Sequence, residues 1–354
     1  VLLRAQPRPP VGAFSFLILV LAAIVIAACG GSAPGRTSAQ SGPAAAPAQT
    51  AASASGVTRD TAVAEGVDPA EDATSGPSAT SPGAGPVRRI VSLAPNITEI
   101  LFALGFGDRV VGVTEFCNYP PEALRLPKVG GFVNPNAEVI LALHPDLVVA
   151  TPNVGNRAFV ERLIAVGARV VVVQARDVAE IDPAIKAIAN AAGDPRAGRA
   201  LVARLRADLD RERGRVASLP RTRTLFCIQV EPLVVAGRGS YPGDLIELAG
   251  GENIVPASAG QYPNFSLEAV VAAAPDSIVQ SLMDTREGAT GGDRLMAFWG
   301  RLGSIPAVKG KRVFAVPGDV VLRPGPRVAQ GVAALIALLH PEAAPEAPAT
   351  SVPK

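Results

Sequence analysis

At 354 residues the chain is long enough for one large domain or two of medium size, and its 48% hydrophobic content with mean hydropathy +0.30 fits a globular body. Its 33 basic and 31 acidic side chains leave a net charge of +2, a balance that argues against nucleic acid or an anionic membrane surface as partner. Two histidines, His144 and His340, with no HxxxH or CxxC spacing, argue against a transition-metal site, and neither metal nor cofactor is expected.

Arg4 and Arg8 precede Val11 to Ala28, an apolar run barely long enough to span a bilayer. The run ends at Ile26-Ala27-Ala28-Cys29-Gly30-Gly31-Ser32, small residues around a cysteine. This resembles the bacterial lipobox, so residues 1–29 read as a lipoprotein signal with Cys29 as the lipidated residue; a plain anchor or a cleaved secretory signal is the other reading. Residues 30–86 hold no aromatic residue and no Leu, Ile or Met, and cannot bury enough apolar surface to offset chain entropy. They read as a disordered tether with a root-mean-square span of about 40 Å.

From Arg89 to Leu93 a short apolar run predicts a buried strand. Asn96 and Glu99 stand at capping-box spacing at the head of a helix over Ile97 to Leu104, which Gly105 ends. Strands follow at Val110–Val113, Leu147–Val149 and Val170–Val173, alternating with helices at Arg157–Val166 and Ile181–Ala191. Unbroken β-branched runs indicate parallel strands covered on both faces. Pro195 to Leu219 is amphipathic, with Leu201, Val202, Leu205, Leu209 and Val216 on one side, and predicts one long helix stopped by Pro220. Beyond it, strands are expected at Thr224–Gln229, Leu233–Val235, Ser277–Gln280 and Arg312–Val316. Helices are expected at Asp244–Leu248, Leu267–Ala274, Leu295–Trp299 and Val328–Leu339, with a turn over Gly250 to Asn253. The fold class is therefore α/β: two Rossmann-like lobes with mostly parallel sheets, at 87–194 and 220–340, joined by a single long helix at 195–219, with a cleft between them. Residues 341–354 read as a second disordered tail.

One segment occurs twice. Asn136-Ala137-Glu138 opens a helical stretch that Pro145-Asp146 stops before a β-branched run, and about 130 residues later Ser266-Leu267-Glu268 and Pro275-Asp276 do the same. Each half thus carries one glutamate in the first turn of a helix, where the helix dipole favours it.

Ser92-Leu93-Ala94-Pro95-Asn96-Ile97-Thr98-Glu99 resembles the opening of the helical-spine class of bacterial ABC-transporter solute-binding proteins. The segment Gly112 to Pro121, Gly250-Gly251-Glu252-Asn253-Ile254, and Gly318-Asp319 with Arg323 and Pro326-Arg327 are similar to its cobalamin-binding branch. The resemblance spans Val87 to His340. It implies a monomeric, extracytoplasmic binding protein rather than an enzyme, held to the cell membrane by lipid on Cys29. Such a protein captures cobalamin or a related corrinoid between its lobes and delivers it to a dimeric ABC permease. It further implies that Glu138 and Glu268 seat in arginine-lined pockets of the permease. The ligand contacts implied are the aromatic residues Phe116, Phe132 and Tyr262, with Asn96, Asp319 and Arg323 polar; Thr151 stands where an aromatic can occur, and Arg327 either touches ligand or holds the loop before the last helix.

Two other readings remain open. The same scaffold binds ferric siderophore or haem, with Tyr241 and Tyr262 as iron ligands and Arg238, Arg323 and Arg327 on anionic groups. Alternatively the lobes form a cell-surface enzyme acting on a corrinoid or sugar-like substrate, for which paired cleft carboxylates are needed and Asp319 alone is well placed. Gly237 to Gly243 has GxGxxxG rather than a nucleotide-binding spacing. Cys117 and Cys227 either pair across the lobes or stay as buried thiols.

Overall fold

The β-branched runs of the sequence become the strands of two sheets. The computed structural model describes residues 86–152, 157–282 and 288–343; the lipobox and Cys29, residues 30–85 of the expected tether and residues 344–354 of the expected tail lie outside these. The first sheet is built from β1 (Ile90–Ser92), β2 (Val110–Val113), β3 (Leu147–Ala150) and β4 (Val170–Val172), in the order β2-β1-β3-β4 and parallel throughout. Its helices are α1 (Pro95–Ala103), α2 (Ala137–Ala142), α3 (Arg157–Ala165) and α4 (Ile181–Ala191). β1 and β3 are buried along their whole length, as a sheet covered on both faces requires.

The long helix α5 (Pro195–Val216) follows, capped by the Asp194 side chain on the Ala197 amide, with proline in its first turn. It ends three residues before the expected Leu219. Leu201, Val202, Leu205 and Val216 face inward, where they join α4 on one side and the last helix, α11 (Val328–Leu339), on the other. The approach to α4 is close: a Cβ on Gly198 would stand 2.6 Å from the Ala189 Cβ.

The second sheet orders β6-β5-β8-β9, with β5 (Thr222–Val230) and β6 (Leu233–Val235) antiparallel and β8 (Ser277–Leu282) and β9 (Val313–Pro317) parallel to β5. β7 (Gly251–Asn253) pairs in parallel with Thr222–Thr224, so the expected turn over Gly250 to Asn253 is corrected: three of its residues are a strand, recruited by an edge that β6 leaves open. The remaining helices are α6 (Tyr241–Leu248), α7 (Leu267–Ala273), α8 (Gly288–Trp299), α9 (Pro306–Lys309) and α10 (Gly318–Val321). The tail also begins later than expected, because Pro341–Ala343 form a 3-10 turn whose Ala343 carbonyl accepts two bonds from Arg215 on α5, at 3.2 and 2.7 Å.

The repeated segments correspond in cap, buried anchor, exit residue and the hydrogen bond that follows. Asn136 caps α2 by accepting from the Glu138 and Val139 amides, and Ser266 caps α7 by accepting from the Ala269 amide. Ile140 and Val270 anchor the two helices as buried residues. Both helices are left through a non-glycine residue in the left-handed region, His144 and Ala274, each with φ 44°. The Asp146 and Asp276 amides then donate to the Arg89 and Arg223 carbonyls, both at 2.8 Å. Cys117 and Cys227 are free and buried, so no disulfide links them. No helix among the described residues is long and apolar enough to cross a membrane.

Candidate functional site

Where the lobes meet, helix α1 buries a charge among apolar neighbours. Ile97, Ile100 and Leu101 are fully buried, and Glu99 between them is 2% exposed. An isolated carboxylate there would cost several kcal/mol, so it has to be paired. The partner is Arg327, just before α11, which donates from Nε to Glu99 Oε2 at 2.8 Å and from Nη2 to Oε1 at 2.6 Å. Arg323 adds a 3.4 Å contact to the same carboxylate. Burial would lower the Arg327 pKa; the hydrogen bond and charge of Glu99 outweigh it and hold the guanidinium above its usual value. The same guanidinium sits over the Tyr119 ring, 4.2 Å from Cζ to the ring centre.

The expected capping box at Asn96 and Glu99 is therefore corrected. Pro95 takes the first helical position, Ala94 stands at the N-cap with no side-chain bond, and Asn96 instead donates to the Pro324 carbonyl at 3.3 Å. The loop after β2 supplies the next layer. Asn118 donates to Asp319 Oδ2 at 2.6 Å and accepts from Arg323 at 2.6 Å, while Arg323 also meets Asp319 at 2.5 Å and the Phe116 carbonyl at 3.4 Å. The Cys117 thiol, between the Thr98 and Thr114 hydroxyls at 3.1 Å, roots this loop in the first lobe.

Of the six residues expected at the ligand, Asn96, Phe116, Asp319 and Arg323 come together here, with the Phe116 side chain half-exposed. Phe132 instead packs, partly buried, against the main core. Tyr262, also half-exposed, belongs to a second stretch of the seam, where the Arg176 carbonyl accepts from the Tyr241 amide at 2.9 Å and the Val178 amide donates to Asp244 at 3.0 Å. Burial raises the pKa of Tyr262, and the charges of Asp244 and Asp177 add to the rise. Burial likewise raises that of Asp244, despite the Val178 amide. Glu99, Asn118 and Tyr119 were not among the expected ligand residues; the signal for Glu99 was a lone charge amid Ile97, Ile100 and Leu101.

Glu138 and Glu268 are exposed in the first turns of α2 and α7, and neither forms an ion pair among the described residues. Contacts to its own amide and to Ser266 lower the pKa of Glu268.

Two lobes on a continuous helix, with a polar seam between them, define a two-lobed solute-binding protein; the chain belongs to the periplasmic binding protein family, whose pattern matches residues 90–320. It is 32% identical over 247 residues to the vitamin B12-binding protein of Vibrio cholerae, covering 70% of this chain and 87% of the relative. It is also 32% identical over 265 residues to an uncharacterized ABC transporter substrate-binding lipoprotein, YvrC, of Bacillus subtilis, covering 72% and 81%. Among solved structures it is similar to the periplasmic vitamin B12-binding protein BtuF of Vibrio cholerae, with TM-score 0.62 and 31% identity over 72% of this chain and 97% of that one. It is similar as well to the apo periplasmic heme-binding protein RhuT from Roseiflexus sp. RS-1, with TM-score 0.65 and 32% identity over 73% and 99%.

Proposed function

We propose that this chain is the lipid-anchored receptor of an ABC importer, holding cobalamin or a related corrinoid between its lobes and delivering it to a permease dimer through Glu138 and Glu268. The observation that carries the ligand class is the pairing of charges along the seam. Two carboxylates, Glu99 and Asp319, and two guanidiniums, Arg323 and Arg327, cancel one another. The groups left to meet a ligand are amides, a carboxylate edge and the half-exposed ring of Phe116. That set suits an uncharged macrocycle rimmed with amides, which exchanges hydrogen bonds with Asn96, Asn118 and Asp319 and covers its faces on aromatic side chains. It offers little to the carboxylates of haem or to an anionic ferric chelate, because Arg323 and Arg327 are already committed.

Tyr241 also speaks against iron ligation, since its hydroxyl is buried and burial, reinforced by Glu99, pushes its pKa far up. The enzyme reading is disfavoured on the same ground: Glu99 and Asp319 both face arginine rather than each other, so neither is free for acid–base work. Haem remains the second reading, favoured by the likeness to a heme-binding protein and by the half-exposed Tyr262 beside the exposed Arg238 loop. Lipid on Cys29 would hold the receptor at the cell surface, several acyl chains being what stable anchoring requires. Titration of the chain from Ser32 onward with cyanocobalamin, haem and a ferric chelate decides the ligand. Saturable binding of cyanocobalamin alone is the expected result, and no binding at high micromolar concentration overturns the corrinoid assignment.

A further inference from the structure

The whole-chain balance of +2 is an average, and the long helix α5 departs from it. α5 carries seven arginines against Asp208, Asp210 and Glu212, an excess of four positive charges in 22 residues. Its inward side is apolar, so most of these arginines are held on the flanks and the outer face. Arg199, Arg206 and Arg213 recur every seven residues and line one flank over about 21 Å. Arg196, a turn before Arg199, and Lys186 on α4 extend the row, and all five are exposed. Asp182 pairs with Arg206 at 2.5 Å, whereas Lys186, Arg196, Arg199 and Arg213 form no ion pair among the described residues. Lys186, Arg199 and Arg206 line a shallow groove of about 460 Å³ between α4 and α5, together with Val202, Ala203 and Asp210. Cations left side by side in this way repel one another until a negative partner collects them.

The point at which the chain enters the folded body gives this row a context. Arg109 donates from Nη1 both to the Val87 carbonyl at 3.4 Å and to the Ala192 carbonyl at 3.2 Å. Ala192 caps the end of α4, two residues before Asp194 caps the start of α5. The expected tether therefore meets the body beside the end of α5 that bears Arg196 and Arg199. We propose that the α4–α5 face binds a bilayer bearing anionic phospholipid headgroups, with α5 lying along the lipid surface. Arginine suits this partner, because its guanidinium takes two phosphate oxygens at once, and the groove beside Lys186 admits a headgroup phosphate. Charge complementarity and the root of the tether name the same occupant: a body held to lipid by that tether is held from this end of α5. The surface stands without lipid on Cys29, although an acyl anchor and a basic patch reinforce each other as two membrane signals.

The test uses the chain from Ser32 onward, which lacks Cys29, so that any attachment to lipid is the body's own. Co-sedimentation is measured with vesicles of phosphatidylcholine and with vesicles of phosphatidylcholine and phosphatidylglycerol in equal parts. Binding to the anionic vesicles alone is expected, and its loss at about 1 M salt, where the Debye length falls to about 3 Å. Lys186→Gln, Arg196→Gln, Arg199→Gln and Arg213→Gln together are expected to lower the partition coefficient about a hundredfold or more, at about fivefold per cation. A matched variant carries Arg125→Gln, Arg169→Gln, Lys309→Gln and Lys311→Gln, four exposed cations that also form no ion pair among the described residues. It changes the net charge equally and is expected to keep most of the binding. An equal loss in the two variants overturns the inference, because overall charge then suffices. So does a parent chain that ignores anionic vesicles, or that binds polyphosphate in their place. A polarity-sensitive dye on Ala203→Cys reads the face with every cation kept, Cys117 and Cys227 being buried. Its emission is expected to shift to the blue on anionic vesicles, and an unchanged spectrum overturns the assignment of this face. None of these outcomes bears on the ligand or on lipid at Cys29.

Discussion

The seam between the lobes and the outer ends of α2 and α7 handle charge in opposite ways. Along the seam three carboxylates are held: Glu99 by Arg327, Asp319 by Arg323 and Asn118, Asp244 by the Val178 amide. On α2 and α7, Glu138 and Glu268 stand exposed and form no ion pair among the described residues. A charge that is paired and buried belongs to the architecture, and its removal is felt by the whole fold. A charge that stays exposed and without an ion-pair partner is available to something outside the molecule.

The comparison is broken most directly at Arg327. Arg327→Met leaves the buried Glu99 with only the 3.4 Å contact to Arg323 and is expected to cost about 3 kcal/mol, read as a shift in the denaturant midpoint at unchanged slope. A loss under about 1 kcal/mol would mean that the seam charges are as dispensable as the outer ones. Next in size is Ala274→Gly. The left-handed conformation burdens alanine but not glycine, so a gain of about 0.5–1 kcal/mol in thermal stability is expected, with the repeat geometry otherwise kept.

Asp244 tests the seam by pH. Its folded pKa is raised, so its contribution is fullest below the ordinary carboxylate value of about 3.9 and declines as pH rises through the folded value. Asp244→Asn keeps an acceptor for the Val178 amide and removes the buried charge. Unfolding followed from acid to neutral pH is expected to show the variant matching the parent in acid and exceeding it at neutrality. The smallest effect is expected outside: Glu138→Lys with Glu268→Lys changes stability by less than about 0.5 kcal/mol and leaves cyanocobalamin affinity unchanged, although uptake stops. Weakened ligand binding in that variant would place the two glutamates in the wrong region.

Much of this was readable in the residues. The bounds of α4 and α11 and of the strands β2 and β6 follow from apolar periodicity and β-branched runs, which leave little choice of conformation. The twin helices and their glutamates were legible because cap, anchor and Pro-Asp stop repeat together. Legibility failed where long-range pairing overruled local preference. Gly251-Glu252-Asn253 has turn composition, yet β5 offers it an unpaired edge. The glycine-rich head of α8, from Gly288, hides a helix that apolar residues announce only from Leu295. Asn96 and Glu99 match a capping box, but the helix starts at Pro95, ahead of both, and the glutamate finds its arginine more than 200 residues away. No spacing rule reaches that far.

The continuous helix α5 has a mechanical consequence. Its 22 residues make a rod about 33 Å long, and α4 of one lobe and α11 of the other are glued to it within one apolar cluster. Two plates fastened to a common beam flex little on their own, because gaping would expose that shared cluster to water. Little of the energy of ligand capture is then consumed in closing the jaws. Opening the cleft to let a ligand go then carries the cost of prising that shared cluster apart.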